Sequence, residues 1–322
     1  MDGKIQSMAA LEQKKTILNL YNSGITPDII ALQMDINQDE VKQVIENEIS
    51  EEETKKINAQ RMSNAPLLSK LYLDAVVNID SAIKNAQTRM WKALKGKQEF
   101  NISMEETQNI LENYAESKVI FVILHIDLVE STKLSMTLPV DRLATIIRAF
   151  TQEMSLMIEA YGGYILKYVG DAILAFFIAG SSGDSSLYLS CINAVNCACS
   201  MIKVIQQGIN PILNQYDYPE LNVRIGIDVG ENAVVQYGWD THMQNGKMIL
   251  KKPHLDILGY TISIATKMTA LAKPGQIIIG QLVYDVLEHK QKSTFRLLSI
   301  SSDIWNYVSN YTGRTYSLYG SL

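Results

Sequence analysis

The pattern of apolar and polar positions changes once along the chain, near Ser117. Before that point apolar residues recur at helical spacing, strictly alternating runs are absent and prolines are few, which favours helices. After it, short apolar runs of strand length alternate with longer helical stretches, which predicts an α/β or α+β fold. The sequence therefore predicts an all-helical N-terminal region followed by a region that contains a sheet.

The first fifty residues predict three short helices. The first covers Ala10–Ser23, the second begins at Pro27 and the third covers Gln38–Ile49. This order resembles a helix-turn-helix unit. The third helix, however, carries four acidic residues against one lysine, and such a helix is repelled by a groove lined with phosphates. Residues 1–50 are therefore predicted to be a packing or partner-binding unit, with DNA binding as the less favoured alternative.

Residues 51–116 predict a helical linker. Glu51–Ser63 is charged and polar, whereas apolar residues recur near helical spacing over Leu67–Leu94. The charges between those apolar positions give no clear heptad. This amphipathic helix is predicted either to pack on the following domain, over residues 117–322, or to pair with a second chain. The helices before residue 117 could also receive a regulatory partner.

Composition and charge narrow the classes of function. A chain with 47% hydrophobic and 20% charged residues is ordinary for a globular protein. Its net charge of −5 argues against a general nucleic-acid binder. The longest unbroken apolar run, Ala172–Ala179, is far shorter than a membrane span, and charged residues interrupt the start of the chain. We expect a soluble cytoplasmic protein without a membrane segment.

The cysteines and histidines argue against a zinc site. Neither the three cysteines nor the four histidines have the spacing of metal ligands. The cysteines lie in one apolar, helix-like stretch, where small buried residues in a reducing compartment are the expected interpretation. They are Cys191, Cys197 and Cys199.

One aspartate directly follows a predicted buried strand. Val119–Ile126 is apolar and rich in β-branched residues, and Asp127 comes next. A carboxylate at a strand end often faces a cleft. The polar turn that follows opens a helix, where backbone N–H groups can hold phosphate oxygens. The alternative role for Asp127 is that of a helix N-cap.

A second aspartate lies at a predicted hairpin tip. Gly170 and Asp171 separate the strands Tyr164–Val169 and Ala172–Ile178, and glycine at the first turn position favours a type II′ turn. Lys167 lies inside the first apolar strand, where it either reaches solvent along an edge or serves a site. Two aspartates at strand ends can together hold two divalent cations.

These residues follow the order and spacing of a known enzyme family. Residues 117 to about 290 resemble the class III adenylate and guanylate cyclases. The resemblance implies a βαββαβ ferredoxin-like core with surrounding helices, and a head-to-tail homodimer with active sites at the subunit interface. The matching segments are Asp127–Thr132, Gly162–Gly163, Lys167–Asp171 and Asp256–Gly259, with Arg224–Gly230 and Lys273–Ile277 as further landmarks.

The resemblance also implies roles for single residues. Asp127 and Asp171 match the metal-binding aspartates, and the backbone of Leu128 is assigned to the same metal site. Lys167 and Asp256 match the pair that reads the purine in adenylate cyclases, where a carboxylate accepts from the 6-amino group and an ammonium donates to a ring nitrogen. The implied reaction is attack of the ribose 3′-hydroxyl of ATP on its α-phosphate, with release of pyrophosphate and with two Mg²⁺ or Mn²⁺ ions.

Two positions depart from the family pattern. The family carries an asparagine and an arginine four residues apart, and by spacing from Asp256 these positions fall on Ser263 and Lys267. Serine can donate but is shorter than asparagine, and lysine keeps the charge without the planar fork of arginine. An active adenylate cyclase is the first hypothesis. The alternatives are a weak or inactive module that senses nucleotide, or a cyclase that uses another nucleoside triphosphate.

The remaining segments carry weaker signals. Asn245–Gly246 predicts a hairpin. Lysines at 247, 251 and 252 lie beside it, where solvated side chains are favoured over triphosphate ligands. The aromatic tail, Ser301–Leu322, is interpreted as a closing strand with surface packing.

Overall fold

The computed structural model divides into two compact units, Met1–Leu68 and Ser69–Leu322. The structure describes residues 14, 16–18, 21, 27–34, 36–45, 77–96, 100, 104–179, 184–244, 247–309 and 313–322.

The N-terminal unit has a small apolar core. Helix α1 covers Pro27–Met34, helix α2 covers residues 38–45, and residues 16–18 are also helical. The predicted first helix, and the end of the third, lie partly outside the described residues. Five apolar side chains are buried together: Ile17, Ile30, Ala31, Val41 and Ile45.

One sheet of eight strands runs through the described part of the second unit. The strand order is β2-β3-β1-β4-β6-β8-β7, and β5 pairs with β4. The strands are β1 Lys118–Leu128, β2 Tyr164–Val169, β3 Ala172–Ile178, β4 Val223–Gln244, β5 Lys247–Leu258, β6 Ile277–Gly280, β7 Phe295–Leu297 and β8 Leu318–Ser321. The helices are α3 Ile79–Leu94, α4 Glu105–Glu112, α5 Ser131–Thr137, α6 Val140–Ala160, α7 Asp184–Lys203, α8 Asn210–Asn214, α9 Tyr260–Leu271, α10 Gln281–Val286 and α11 His289–Lys292, with a π-helical stretch Val204–Ile209 between α7 and α8.

The first four strands and their helices confirm the predicted βαββαβ fold. Strand β1 pairs antiparallel with β3 and with β4, and β2 pairs antiparallel with β3. Strands β2 and β3 have the predicted bounds, whereas β1 extends to Leu128, beyond the predicted end at Ile126. Strands β4 and β5 pair up to Gln244 and Lys247, as the predicted hairpin requires. The two turn residues of that hairpin lie outside the described residues, as do the side chains of the three nearby lysines.

The two faces of the sheet differ in chemistry. Alternate β1 residues such as Leu124 and Ile126 belong to the main apolar core, together with residues of α3, α6 and α7. Because side chains alternate along a strand, His125 and Asp127 lie on the opposite face, which α9 covers. There Nδ1 of His125 lies 3.0 Å from Oγ1 of Thr269 on α9.

A glycine lets α9 lie directly against the sheet. A Cβ atom at Gly226 would lie 2.2 Å from the Ala265 carbonyl oxygen and 2.6 Å from Oγ1 of Thr269. Both distances are far below van der Waals contact, so a side chain at residue 226 would displace the helix. The backbone of β4 therefore fixes the position of α9.

The predicted amphipathic helix packs within the second unit. Helix α3 begins at Ile79, where Asn78 caps it by accepting a hydrogen bond from the Ser81 N–H at 3.0 Å. Val77 and Asn78 are not helical, so the predicted helix is not continuous there. Residues 67–76 lie outside the described residues. Arg89 donates hydrogen bonds of 2.5 and 2.6 Å to both oxygens of the buried Glu153 on α6. Helix α3 is thus attached to the core by apolar packing and by an ion pair.

The segment from α7 to α8 forms one long helix. By length and composition alone, Ser186–Asn214 could cross a membrane. However, 67% of its most apolar stretch is buried inside the protein. Core helices of globular proteins often have the same length and composition. Cys191 and Cys197 are buried, but the expectation of burial is wrong for Cys199, which is exposed. Two residues correspond to about 200° around a helix, so Cys199 faces away from Cys197.

Candidate active site

Asp127 forms an ion pair with an arginine on the neighbouring strand. It lies within β1, directly opposite Arg224 of β4. Arg224 donates to Oδ2 of Asp127 from Nε at 3.0 Å and from Nη2 at 2.7 Å. The N-cap alternative is wrong, because the residue at the N-cap of α5 is Glu130 and Asp127 is still part of the strand.

Asp171 lies at the tip of the β2–β3 hairpin. Val169 pairs with Ala172, which leaves a turn of two residues. The φ of Gly170 is +64° and that of Asp171 is not positive, which is the pattern of the predicted type II′ turn. Oδ2 of Asp171 is buried and has no hydrogen-bond partner among the described residues. Since an unpaired buried oxygen is costly, this carboxylate is suited to receive a cation.

Both aspartates lie at the same end of the sheet. Ile126 of β1 pairs with Ile173 of β3. Asp127 is the next residue of β1, and Asp171 lies in the turn just before β3. Both therefore lie at this end of the sheet, together with the backbone of Leu128. Within the described residues, no group of three or more His, Cys, Asp or Glu side chains could hold a metal ion. Two carboxylates fit an open Mg²⁺-type site, in which ligand phosphates and water complete the coordination. We call Asp127, Asp171 and Arg224 the metal half of the site, after the role that the family resemblance implies for the two aspartates.

Lys167 and Asp256 also meet, although 89 positions separate them in the sequence. Nζ of Lys167 donates to Oδ2 of Asp256, and Oδ1 of Asp256 accepts from the Ile257 N–H at 2.9 Å. Their side chains are 41% and 18% exposed. A register shift in β2 between Ile165 and Lys167 is the kind of bulge that redirects a side chain. We call this pair the base half, after the role that the family resemblance implies for it.

Ser263 and Lys267 lie on the exposed side of α9. Nζ of Lys267 lies 5.5 Å from the centroid of the Tyr307 ring, within the range of a cation–π contact. Neither residue is buried against the sheet, so both are free to face a ligand at this surface.

Sequence reasoning did not predict several contacts, one at the site and others in the tail. The family resemblance includes Arg224 as a landmark but does not indicate that it pairs with Asp127, because that pairing depends on the register between β1 and β4. The surface packing expected for the aromatic tail is wrong for Trp305 and Tyr316, which are buried. The Tyr316 hydroxyl donates at 2.6 Å to Oδ1 of Asp228, a carboxyl whose burial raises its pKa to about 7.

The family of the chain follows from its match to a family model. The model described as the adenylate and guanylate cyclase catalytic domain matches residues 113–302, more than half of the chain. The chain belongs to this family.

Individual relatives of this cyclase domain are distant. A cytidylate cyclase of Escherichia coli is 24% identical over 195 residues, which cover 60% of this chain and 41% of that protein. A uridylate cyclase of Rhodovulum sp. (strain MB263) is 25% identical over 189 residues, covering 56% and 70% of the two chains. The chain thus spans about two fifths of the length of the E. coli relative. The crystal structure of the adenylyl cyclase CyaB from P. aeruginosa covers 64% of this chain and 95% of its own, with 20% identity and a TM-score of 0.48.

Proposed function

We propose that this cyclase converts ATP to cyclic AMP and pyrophosphate, by attack of the ribose 3′-hydroxyl on the α-phosphate. The contact between Lys167 and Asp256 is the observation that supports adenine as the base of the substrate. The pair offers an acceptor and a donor side by side in a partly exposed place. Adenine presents the matching groups, an exocyclic amino group beside a ring nitrogen.

In this proposal the metal half holds two divalent cations. Asp127 and Asp171 would be their carboxylate ligands, with the backbone of Leu128 beside them. Bound Mg²⁺ or Mn²⁺ would neutralise phosphate charge and lower the pKa of the attacking hydroxyl. Arg224 would then face phosphate oxygens as well as Asp127, and its planar guanidinium suits both.

Cytidine triphosphate is the second candidate substrate. The amino group of cytosine is also a donor, and aspartate readily accepts from it. Guanine and uracil present a carbonyl oxygen at the corresponding place, which a carboxylate repels. The Lys167–Asp256 pair therefore favours ATP and CTP over GTP and UTP. The E. coli relative, which is a cytidylate cyclase, is the specific reason to keep CTP.

Ser263 and Lys267 would meet the ribose and the α-phosphate in the transition state. Loss of one transition-state donor typically costs about 10²–10³ in rate, and partial replacement costs less. We therefore expect slow turnover. A module that binds nucleotide and makes no product is the alternative that these two residues favour.

We further propose that the cyclase acts as a homodimer. Tyr237 and Trp239 are 63% and 58% exposed on the part of β4 that extends beyond β1. Large exposed aromatic side chains are enriched where protein surfaces meet. The N-terminal helices would then receive a regulatory protein partner rather than DNA.

The test is product formation from each of ATP, GTP, CTP and UTP with Mn²⁺, detected by mass. Cyclic AMP that disappears in Asp171→Ala, but not in the exposed surface variant Asp141→Ala, is the expected result. Cyclic CMP as the main product would select the second candidate. Cyclic GMP or cyclic UMP as the main product would contradict the role of Lys167 and Asp256. Bound ATP with no cyclic product would establish a nucleotide sensor.

A further inference from the structure

The cationic side chains assigned to the site differ in the groups that they contact. Arg224 and Lys167 are each paired with a carboxylate, Asp127 and Asp256 respectively. Lys267 instead lies over the ring of Tyr307 at 5.5 Å, and within the described residues it forms no salt bridge. An aromatic ring attracts an ammonium without neutralising its charge.

The Tyr307 ring is itself held in place by the tail. Its backbone carbonyl accepts from the Tyr316 N–H at 2.7 Å. Its ring meets the ring of Trp305 edge to face, with centroids 4.8 Å apart. Trp305 is 4% exposed and donates from Nε1 to the Tyr316 carbonyl at 2.8 Å. Tyr307 is thus anchored through a buried neighbour and offers a fixed ring to α9.

A fixed ring restricts a side chain that is otherwise free to rotate. Lysine has four rotatable carbons and an ammonium with three donors, and ordering such a side chain costs conformational entropy. A contact with the ring face orders the ammonium without requiring a hydrogen-bond acceptor, so its donors stay available to phosphate oxygens. A carboxylate at the same place would occupy donors and cancel charge.

We propose that Tyr307 is a positioning residue for Lys267, holding its ammonium on the exposed side of α9 where it meets the substrate phosphate. This inference rests on the proposed function, and it deepens the role of Lys267 there. Ordering a reacting group before the reaction lowers the barrier. The ring therefore partly compensates for a lysine that lacks the planar fork of arginine.

The test combines Tyr307→Leu, Tyr307→Phe and Lys267→Met in a double-mutant cycle measured as kcat. Tyr307→Leu should lower kcat by about 2- to 5-fold, as expected for an exposed cation–π contact, and should change KM little. Tyr307→Phe keeps the ring and should stay near wild type. In the Lys267→Met background, Tyr307→Leu should have no further effect.

The matched control is a second lysine–aromatic contact away from the site. Lys95 lies 5.0 Å from the ring of Trp91, and Trp91→Leu should leave kcat unchanged. A Tyr307→Leu effect that persists in the Lys267→Met background would overturn the proposal, because it would show that Tyr307 acts on the fold rather than on Lys267. A Tyr307→Phe variant as slow as Tyr307→Leu would overturn it as well.

A second readout separates this proposal from the proposed function. Lysines methylated with ¹³C give NMR signals, and that of Lys267 is assigned by its loss in Lys267→Arg. The ring should shift this signal in wild type, and the shift should disappear in Tyr307→Leu but not in Tyr307→Phe. An unshifted Lys267 signal in an active enzyme would refute the inference alone. A wild-type protein that makes no product would refute the proposed function and the positioning role with it.

Discussion

The metal half and the base half of the site differ in how well their polar groups are satisfied. In the metal half, Asp127 is paired with Arg224, but Oδ2 of Asp171 is buried without a hydrogen-bond partner among the described residues. In the base half, Lys167 and Asp256 bind each other, and Asp256 also accepts from a backbone N–H. An unsatisfied buried oxygen costs about 1–3 kcal/mol, and a bound cation removes that cost.

Under the proposed function, this difference predicts separate tasks for the two halves. If cations bind as proposed, the metal half gains stability from them, so we expect it to contribute affinity. Asp256 would have to exchange its ion pair with Lys167 for contacts with the base, whereas Oδ2 of Asp171 would give up no partner in the described part of the chain on binding a cation. Such an exchange yields little net affinity, but it penalises a base with the wrong donors and acceptors. The base half should therefore contribute selectivity.

The largest expected effect tests the metal half. Asp171→Asn keeps the size of the side chain and removes its charge, and should lower product formation by about 10²–10³-fold, the usual loss for an electrostatic group in a site. Mn²⁺ should raise the Tm of wild type by binding the native state, but not that of the variant. Thermal unfolding with and without Mn²⁺ measures this. A variant that Mn²⁺ still stabilises would place the cation elsewhere, and Asp141→Asn is the control.

The next effect tests the base half. Asp256→Asn replaces an acceptor-only group with an amide, and should lower kcat/KM for ATP by about 10- to 100-fold, the value of one good base contact. The preference for ATP over GTP should shrink at the same time. The control is Glu231→Gln, which breaks the exposed ion pair with Lys118 and should do little. An unchanged ratio of ATP to GTP turnover would remove Asp256 from base recognition.

A smaller effect, in the opposite direction, is expected on α9. Lys267→Arg restores the planar fork that grips phosphate oxygens, and it should raise kcat by up to about 10-fold. The ring of Tyr307 also accepts a guanidinium, so the contact survives the change. Steady-state kinetics at saturating ATP measure the gain. A loss of rate would mean that the site is shaped around the ammonium.

The smallest effect concerns a buried aspartate outside both halves. Burial raises the pKa of Asp228 to about 7, above its unfolded value of about 3.9. Its stabilising contribution is therefore complete below about pH 4 and is lost as the pH rises through 7. The Tm of Asp228→Asn relative to wild type should rise by about 5 °C between pH 5 and pH 8, with Mn²⁺ stabilisation intact.

The neighbours of Asp228 do not obscure that measurement. Burial raises the pKa of Tyr316 and of Cys191, so both stay neutral over this range. If the Tm values of wild type and Asp228→Asn changed in parallel between pH 5 and pH 8, Asp228 would not titrate in that range.

Short sequence patterns predicted those parts of the site that are determined by residues adjacent in the sequence. The strand end at Asp127 and the hairpin tip at Asp171 follow from apolar runs and from glycine in a turn. The meeting of Lys167 and Asp256 came from the family resemblance, since no short-range pattern connects strands β2 and β5. The contact between Asp127 and Arg224 was not predicted, because it requires the register of two strands far apart in the sequence.

Two other differences between prediction and structure have local causes that the pattern of apolar positions did not reveal. Periodicity predicted one continuous helix over Leu67–Leu94, whereas the side chain of Asn78 caps the N-terminus of α3 at Ile79. In the tail, aromatic residues without periodicity gave no sign of which would be buried. The burial of Trp305 depends on a hydrogen bond to the Tyr316 carbonyl, a partner eleven residues away.

The lack of space for a side chain at Gly226 limits which substitutions this protein tolerates. Any side chain there would meet α9 within about 2–3 Å, so no single substitution is tolerated unless the helix moves. Substitutions on α9 should therefore be tolerated only where they preserve the close approach of its backbone to strand β4. A saturation library selected for function should retain glycine at residue 226, while the exposed neighbour Asn222 accepts many amino acids.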